Sequence, residues 1–335
     1  MKTNALFLLD EEHWEHVYSP AERKQLERAV EFPLRFHTAG TVRESGRELA
    51  EAEVIFSGWS MARCDEEFLA AAPKLRAIFY AAGSVDYFVT DALWRRGVVV
   101  SSANTALALT VAEFTLGQIL LSLRSMWRQS DMMHAARRPI RLPSAGIHGG
   151  VVGLVSLGTV GRCLIELLRP FHLRVAAHDP LLSDGEIRAM GADPVSLEKL
   201  FAVSDVVSLH TPVLPETLGM VRGHHLARMK PGATFINTAR GVLVNEPEMV
   251  EVLARRPDLY ALLDVTHPEP APPSSPLYDL PNVVLTPHVA GAFGRESRRL
   301  GAMAVEEFER YRVGAPLHGL VAPRAKSGSG LVVAQ

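Results

Sequence analysis

Cysteine is nearly absent. Two residues in 335, Cys64 and Cys163, cannot build a disulfide framework or a four-ligand zinc site, and they fit a reducing compartment. An excess of either charge is also missing. Lys and Arg number 35 against 37 Asp and Glu, and the formal net charge of −2 offers no basic field to nucleic acid or anionic lipid. The 25 glycines follow no triplet period, which excludes collagen. Long apolar runs are scarce. The first, Ala5–Leu9, is too short for the apolar core of a signal peptide and is followed at once by Asp10, Glu11 and Glu12, so it reads as a strand. The longest, Leu107 to Leu123, carries Glu113 and Gln118 and falls short of the ~20 residues that span a bilayer. A buried helix is expected there, in a soluble, cytoplasmic protein with no membrane or nucleic-acid partner. The histidines show no ligand spacing with carboxylates or cysteines, so no metal is expected.

What is present is an ordinary globular composition, 47% hydrophobic and 21% charged, in a chain long enough for two domains. Short β-rich runs alternate with helical stretches, the pattern of α/β folds with parallel sheets. Strands are predicted at Ala5–Leu9, Val54–Ser57, Leu75–Tyr80 and Val98–Ser101. One long helix is predicted over Leu107–Trp127, then a basic loop with Arg137, Arg138 and Arg141. A second series follows, with strands at Val151–Leu157, Leu173–His178, Asp205–Leu209, Ala233–Asn237, Tyr260–Asp264 and Val283–Thr286. Ser196 suits the N-cap of a helix. The tail from Arg324 onward is Gly/Ser-rich and expected to fray.

The first chemical signal lies in Val155-Ser156-Leu157-Gly158-Thr159-Val160-Gly161. It matches the dinucleotide pattern G-x-G-x-x-G with Ser156 at the first glycine. Gly158 lets backbone approach a pyrophosphate, Gly161 lets the next helix pack on the strand, and that helix start offers free N–H groups to the anion. Ser156 lacks glycine's freedom at the turn, though its side chain is small. An apolar strand then ends in Asp179, 18 residues beyond Gly161, near the ~20 expected of a ribose-binding acid. A carboxylate there accepts from ribose hydroxyls and repels a 2′-phosphate, which favours NAD over NADP.

Three later segments each end a predicted strand: Asn237-Thr238-Ala239-Arg240-Gly241, Asp264-Val265 continuing to Glu269-Pro270, and Thr286-Pro287-His288. Strand C-termini of an open parallel sheet share one edge, where ligands bind. An Arg, a Glu and a His brought there form a set suited to reducing a 2-keto acid. The guanidinium polarises the carbonyl and pairs with the carboxylate, while the imidazole protonates the alkoxide and a neighbouring carboxylate fixes its tautomer.

These segments, with Asp205-Val206-Val207-Ser208-Leu209-His210-Thr211-Pro212 and Met229-Lys230-Pro231-Gly232-Ala233, resemble the D-isomer-specific 2-hydroxyacid dehydrogenases over about Val54 to Tyr311. The resemblance implies an α/β protein of two Rossmann-like, doubly wound domains. A discontinuous substrate domain would comprise 1–108 plus 290–335, and a dinucleotide-binding domain 109–289. It implies Arg240 as the substrate-orienting arginine, His288 as acid/base and Glu269 as its partner. Asp264 would hold the nicotinamide carboxamide, Thr238 and Ala239 would line the cofactor, Thr159 and Val160 would pack at the pyrophosphate, and Thr211 and Pro212 would lie near the adenosine. Ala82, Gly83 and Ser84 match the loop that binds the substrate carboxylate. NAD as cofactor, a small 2-keto or 2-hydroxy acid as substrate and a homodimer are implied as well.

Some positions depart from the family pattern. His267 and Pro268 replace the usual Phe or acidic residue, and prolines stiffen the loop after Glu269. Ser57-Gly58-Trp59-Ser60-Met61-Ala62 stands where phosphoglycerate-specific members carry arginines, with only Arg63 nearby. This points to a small or partly apolar acid, with Trp59 as a pocket wall. A second class stays open: an NADH-binding, corepressor-like regulator of the same fold with little turnover.

Overall fold

The structure is a computed structural model that describes residues 2–31 and 35–323; the tail from Arg324 lies outside the described residues. The chain divides into two compact units, Met1–Ala108 with Ala292–Gln335, and Leu109–Gly291.

The first unit holds five parallel strands, β1 (Thr3–Leu8), β2 (Val30–Glu31), β3 (Val54–Ser57), β4 (Ala77–Tyr80) and β5 (Val99–Ser102), in the order β2-β1-β3-β4-β5. Its strands read as continuous apolar runs because both faces are covered. Ile55, Ile78 and Tyr80 enter one core, whereas Val54, Phe56, Ala77 and Phe79 enter the other. On the second face Phe7, Phe56 and Phe79 stack at ring separations of 5.4 and 5.5 Å, and Phe308 meets Phe56 and Phe79 edge-on. Phe308 lies on the helix Ser297–Arg312, so the far end of the chain completes this core.

The second unit holds seven parallel strands, β6 (Val151–Val155), β7 (Arg174–His178), β8 (Asp193–Pro194), β9 (Val206–Leu209), β10 (Thr234–Asn237), β11 (Tyr260–Leu263) and β12 (Val283–Leu285). Their order is β12-β11-β10-β9-β6-β7-β8. Both sheets are doubly wound, and strand order reverses between β1 and β3 in one and between β6 and β9 in the other. Such reversals open crevices at the carboxyl ends of the strands. Ser196 caps its helix by accepting from the Lys199 N–H at 3.2 Å.

Leu107–Trp127 is not one helix but parts of two, Asn104–Leu123 and Met126–Ala136, broken where Ser125 adopts φ +51°. Apolar residues run through the break, so periodicity alone conceals it. The first helix has 20 residues and, by length and composition, is long and apolar enough for a membrane span, so it does not fall short of one as expected. Its Ala112, Ile119 and Leu123 are buried in the core of the second unit. Glu113 is exposed on this helix rather than buried. The short strands β2 and β8 and the helix Glu11–Val17 went unread, being two to seven residues long.

Candidate active site

At the β6–β9 reversal, β6 turns through Ser156 into the helix Thr159–Leu168. Ser156 sits at φ +73°, in the left-handed region that the missing glycine would enter freely. Two bonds hold it there. Its N–H donates to the His178 carbonyl at 2.8 Å, and its buried hydroxyl lies 2.8 Å from the hydroxyl of Thr211, just past β9. Such a conformation costs on the order of 1 kcal/mol or more, which these bonds offset.

The turn fits a dinucleotide. A Cβ on Gly158 would meet nothing within 4 Å, leaving space over the backbone, whereas one on Gly161 would lie 2.5 Å from the Ser156 carbonyl oxygen. The helix start has no side-chain cap and no acidic residue in its first turn, so Thr159, Val160 and Gly161 can present N–H groups to an anion. Asp179 follows β7. Its Oδ2 accepts from the Leu157 N–H at 2.8 Å and its Oδ1 from the Leu181 N–H at 2.9 Å. Each oxygen keeps lone-pair capacity for ribose hydroxyls. Next to Thr211 and Pro212, burial pushes the His210 imidazole down to about 4, so it is neutral beside this turn.

The other groups follow the adjacent strands β10, β11 and β12 in the order Arg240, Glu269, His288. Arg240 is exposed on a loop tied by Asn237, whose Nδ2 donates to the Arg240 carbonyl and whose Oδ1 accepts from the Ala239 N–H, both at 3.0 Å. Gly241 passes so close to the β11 loop that a Cβ would lie 2.1 Å from the Thr266 carbonyl carbon. Thr238 is fixed by a 3.2 Å contact between its hydroxyl and that of Thr115. His288 Nδ1 lies 2.6 Å from Glu269 Oε1. With Nδ1 engaged by the carboxylate, Nε2 is the nitrogen left for proton transfer.

His288 also has positive φ, +54°, and Asp264 explains how that is held. The Asp264 carbonyl accepts the His288 N–H at 2.9 Å. Its buried carboxylate accepts from the Thr286 hydroxyl and the Val289 and Ala290 N–H groups at 2.6 to 2.9 Å. Its visible task is thus to fix the turn that carries His288. Sequence reasoning missed Asn237 and Gly241 as supports, although both lie inside the motif it singled out.

The remaining candidates belong to the first unit. Ala82 and Gly83 follow β4, and the Ser102 hydroxyl lies within 3.0 Å of both their carbonyls. The N–H groups of Gly83 and Ser84 make no hydrogen bond within the described residues, which suits them to an anionic ligand. Trp59 follows β3 and is half exposed.

The fold and this edge define a doubly wound, dinucleotide-binding α/β protein. The comparisons give its family. Residues 116–290 match the model described as D-isomer specific 2-hydroxyacid dehydrogenase, NAD binding domain. The chain is 32% identical over 256 residues to a glyoxylate reductase of Korarchaeum cryptofilum, covering 75% of this chain and 77% of that protein. It is 34% identical over 244 residues to a D-3-phosphoglycerate dehydrogenase of Mycobacterium tuberculosis, covering 72% of this chain but only 46% of that longer protein. The chain therefore spans about half the length of such phosphoglycerate dehydrogenases. A crystal structure of a Thermus thermophilus protein superposes with TM-score 0.74 at 29% identity, over 95% of this chain and 99% of that one. The chain belongs to the D-isomer-specific 2-hydroxyacid dehydrogenase family, and NAD is its cofactor.

Proposed function

We propose that the protein is an NAD-dependent oxidoreductase that interconverts a 2-keto acid and the corresponding D-2-hydroxy acid. The observation that carries this reading is the 2.6 Å pair of Glu269 and His288, which follow the two strands next in line to the one that leads to Arg240. NADH, when bound, supplies the hydride that reaches C2 of the acid. Arg240 pairs with the substrate carboxylate and polarises the carbonyl, which stabilises charge developing on its oxygen. His288 Nε2 delivers the proton to that oxygen and recovers it in the reverse direction. Glu269 holds the ring in the required tautomer and offsets the imidazolium charge. Asp264 keeps His288 in place and would meet the nicotinamide carboxamide, while Thr238 and Ala239 would line the cofactor.

Assembly as a homodimer belongs to the same proposal. Met126 and Met133, exposed on a helix that buries no residue, support it, and sedimentation of the purified chain tests it. A cytoplasmic location is supported by two free thiols. The deciding assay follows NADH consumption with a panel of 2-keto acids, with NADPH in parallel. Turnover that His288→Ala lowers by about a hundred- to ten-thousand-fold is expected. NADH binding without turnover on any acid would favour the regulatory reading instead.

A further inference from the structure

Glu307 is a buried carboxylate of the first unit. It lies on the helix Ser297–Arg312 and is 2% exposed. Its Oε2 accepts from the Ser101 hydroxyl and the Gly319 N–H, both at 2.8 Å, and its Oε1 accepts from the His318 N–H at 3.1 Å. Arg310 Nε stands 3.8 Å from Oε1, beyond hydrogen-bond reach. Burying a carboxylate is costly, and the three converging donors offset that cost.

The junction fastens residues 318–321 along β5, the strand that ends the first sheet. Leu320 bridges Ser101 in antiparallel fashion. The Ser102 N–H donates to the Gly319 carbonyl and the Val321 N–H to the Val100 carbonyl, both at 2.8 Å. Gly319 runs so close that a Cβ there would lie 2.3 Å from the Ser102 carbonyl oxygen. The main chain of Ser102 is thus bonded to Gly319 at its N–H and packed against it at its carbonyl.

The Ser102 hydroxyl, in turn, donates to the Gly83 carbonyl at 2.6 Å and the Ala82 carbonyl at 3.0 Å. Ala82 and Gly83 have no polar side chain to brace their own loop, and among the described residues no other group hydrogen-bonds them. The Ala82 carbonyl shares a peptide plane with the Gly83 N–H, and the Gly83 carbonyl shares the next with the Ser84 N–H. Peptide planes are rigid and trans, so a hydroxyl that holds both carbonyls turns both N–H groups away from itself. Two successive free N–H groups so oriented make a concavity for an anion.

We propose that Ser102, held by Glu307 and residues 318–321, aims the Gly83 and Ser84 N–H groups at the carboxylate of the substrate. Both are positioning residues. Ser102 acts through the two peptide planes, and Glu307 acts through Ser101, His318 and Gly319. The inference rests on the 2-keto acid reading above and lies wholly within the first unit.

The test follows the steady-state kinetics of Ser102→Ala and Glu307→Gln with the best 2-keto acid of the panel, and NADH affinity alongside. Glu307→Gln keeps the shape but offers one amide oxygen where N–H groups meet both carboxylate oxygens, so one N–H is left facing an NH2. Ser102→Ala removes no buried carboxylate and tests the first step even where Glu307→Gln unfolds. The substrate carboxylate is bound in ground and transition state alike, so misaimed N–H groups raise KM more than they lower kcat. Ser102→Ala should raise KM about tenfold or more and Glu307→Gln about threefold or more, with the NADH Kd within about twofold of wild type. In the double variant the two effects should fall short of multiplying, because both pass through Ser102. A lowered kcat with KM unchanged in both variants would mark a purely structural role and overturn the proposal.

Calorimetry of oxamate, a 2-keto acid analogue, with the NADH-loaded protein separates this inference from the reading beneath it. If no acid turns over but oxamate binds about tenfold more weakly to Ser102→Ala, the positioning stands and the enzyme reading falls. If turnover occurs and neither variant raises KM, the positioning falls and the enzyme reading stands. If no acid turns over and oxamate does not bind, both fall.

Discussion

The two sheets reverse their strand order in the same way yet place opposite chemistry at the reversal. In the second unit, the helix after the first strand begins without a side-chain cap and without acids, and a hydroxyl pair, Ser156 with Thr211, joins the two strand ends. In the first unit, the equivalent helix is closed by Asp10, Glu11 and Glu12, and an imidazole–indole pair joins the strand ends. A helix start is an anion site only while its N–H groups and dipole are unopposed. Shared topology thus supplies a crevice in each unit, and a handful of side chains decide whether its helix start is open to an anion.

Substitutions at the contact points would break or sharpen this contrast. The largest effect is expected at Gly241, which belongs to neither reversal. Gly241→Ala forces a methyl into the Thr266 main chain, which has no side-chain end to move aside, and should cost about 3 kcal/mol by the upper range for overpacking. Urea denaturation measures it, and a loss below 1 kcal/mol would show that the Arg240 loop yields easily.

At the polar reversal, Ser156→Val loses the Thr211 bond and places a β-branched residue at φ +73°, so the NADH Kd should rise about tenfold or more. Ser156→Gly should leave it within about threefold, since glycine needs no clasp to hold that backbone. If both variants bound NADH equally, the hydroxyl pair would be incidental.

The smallest effect is expected at the apolar reversal. Gly58→Ala pushes on the end of the His13 side chain, which can swing away, so stability should change by about 1 kcal/mol or less. Thermal unfolding reads that change. A large loss would mean that the imidazole is locked there as part of the core.

The continuous apolar runs of the first series, and Phe235-Ile236-Asn237 or Leu262-Leu263-Asp264 in the second, were legible as buried strands because a parallel sheet covered on both faces permits little else. The glycine turn, Asp179, Arg240, Glu269 and His288 were legible as residue types at strand ends, the one place where this topology gathers ligands. The break at Ser125 was not, since a single left-handed residue leaves no mark on hydrophobic periodicity.

By itself, then, the sequence determined the fold class, the position of the glycine turn and which ionisable residues stand at the strand ends. Tertiary structure alone decided how those residues are held. The Asp264 carboxylate accepts three hydrogen bonds from the turn that carries His288, Asn237 ties down the Arg240 loop, Thr211 steadies Ser156, and His13 underlies Trp59. The last three of these supports differ in kind. Asn237 acts within its own loop, inside the motif, whereas Thr211 stands 55 residues from Ser156 and His13 and Trp59 come from different strand ends. Contacts across such separations are fixed by strand order and register, which no local pattern of residues encodes.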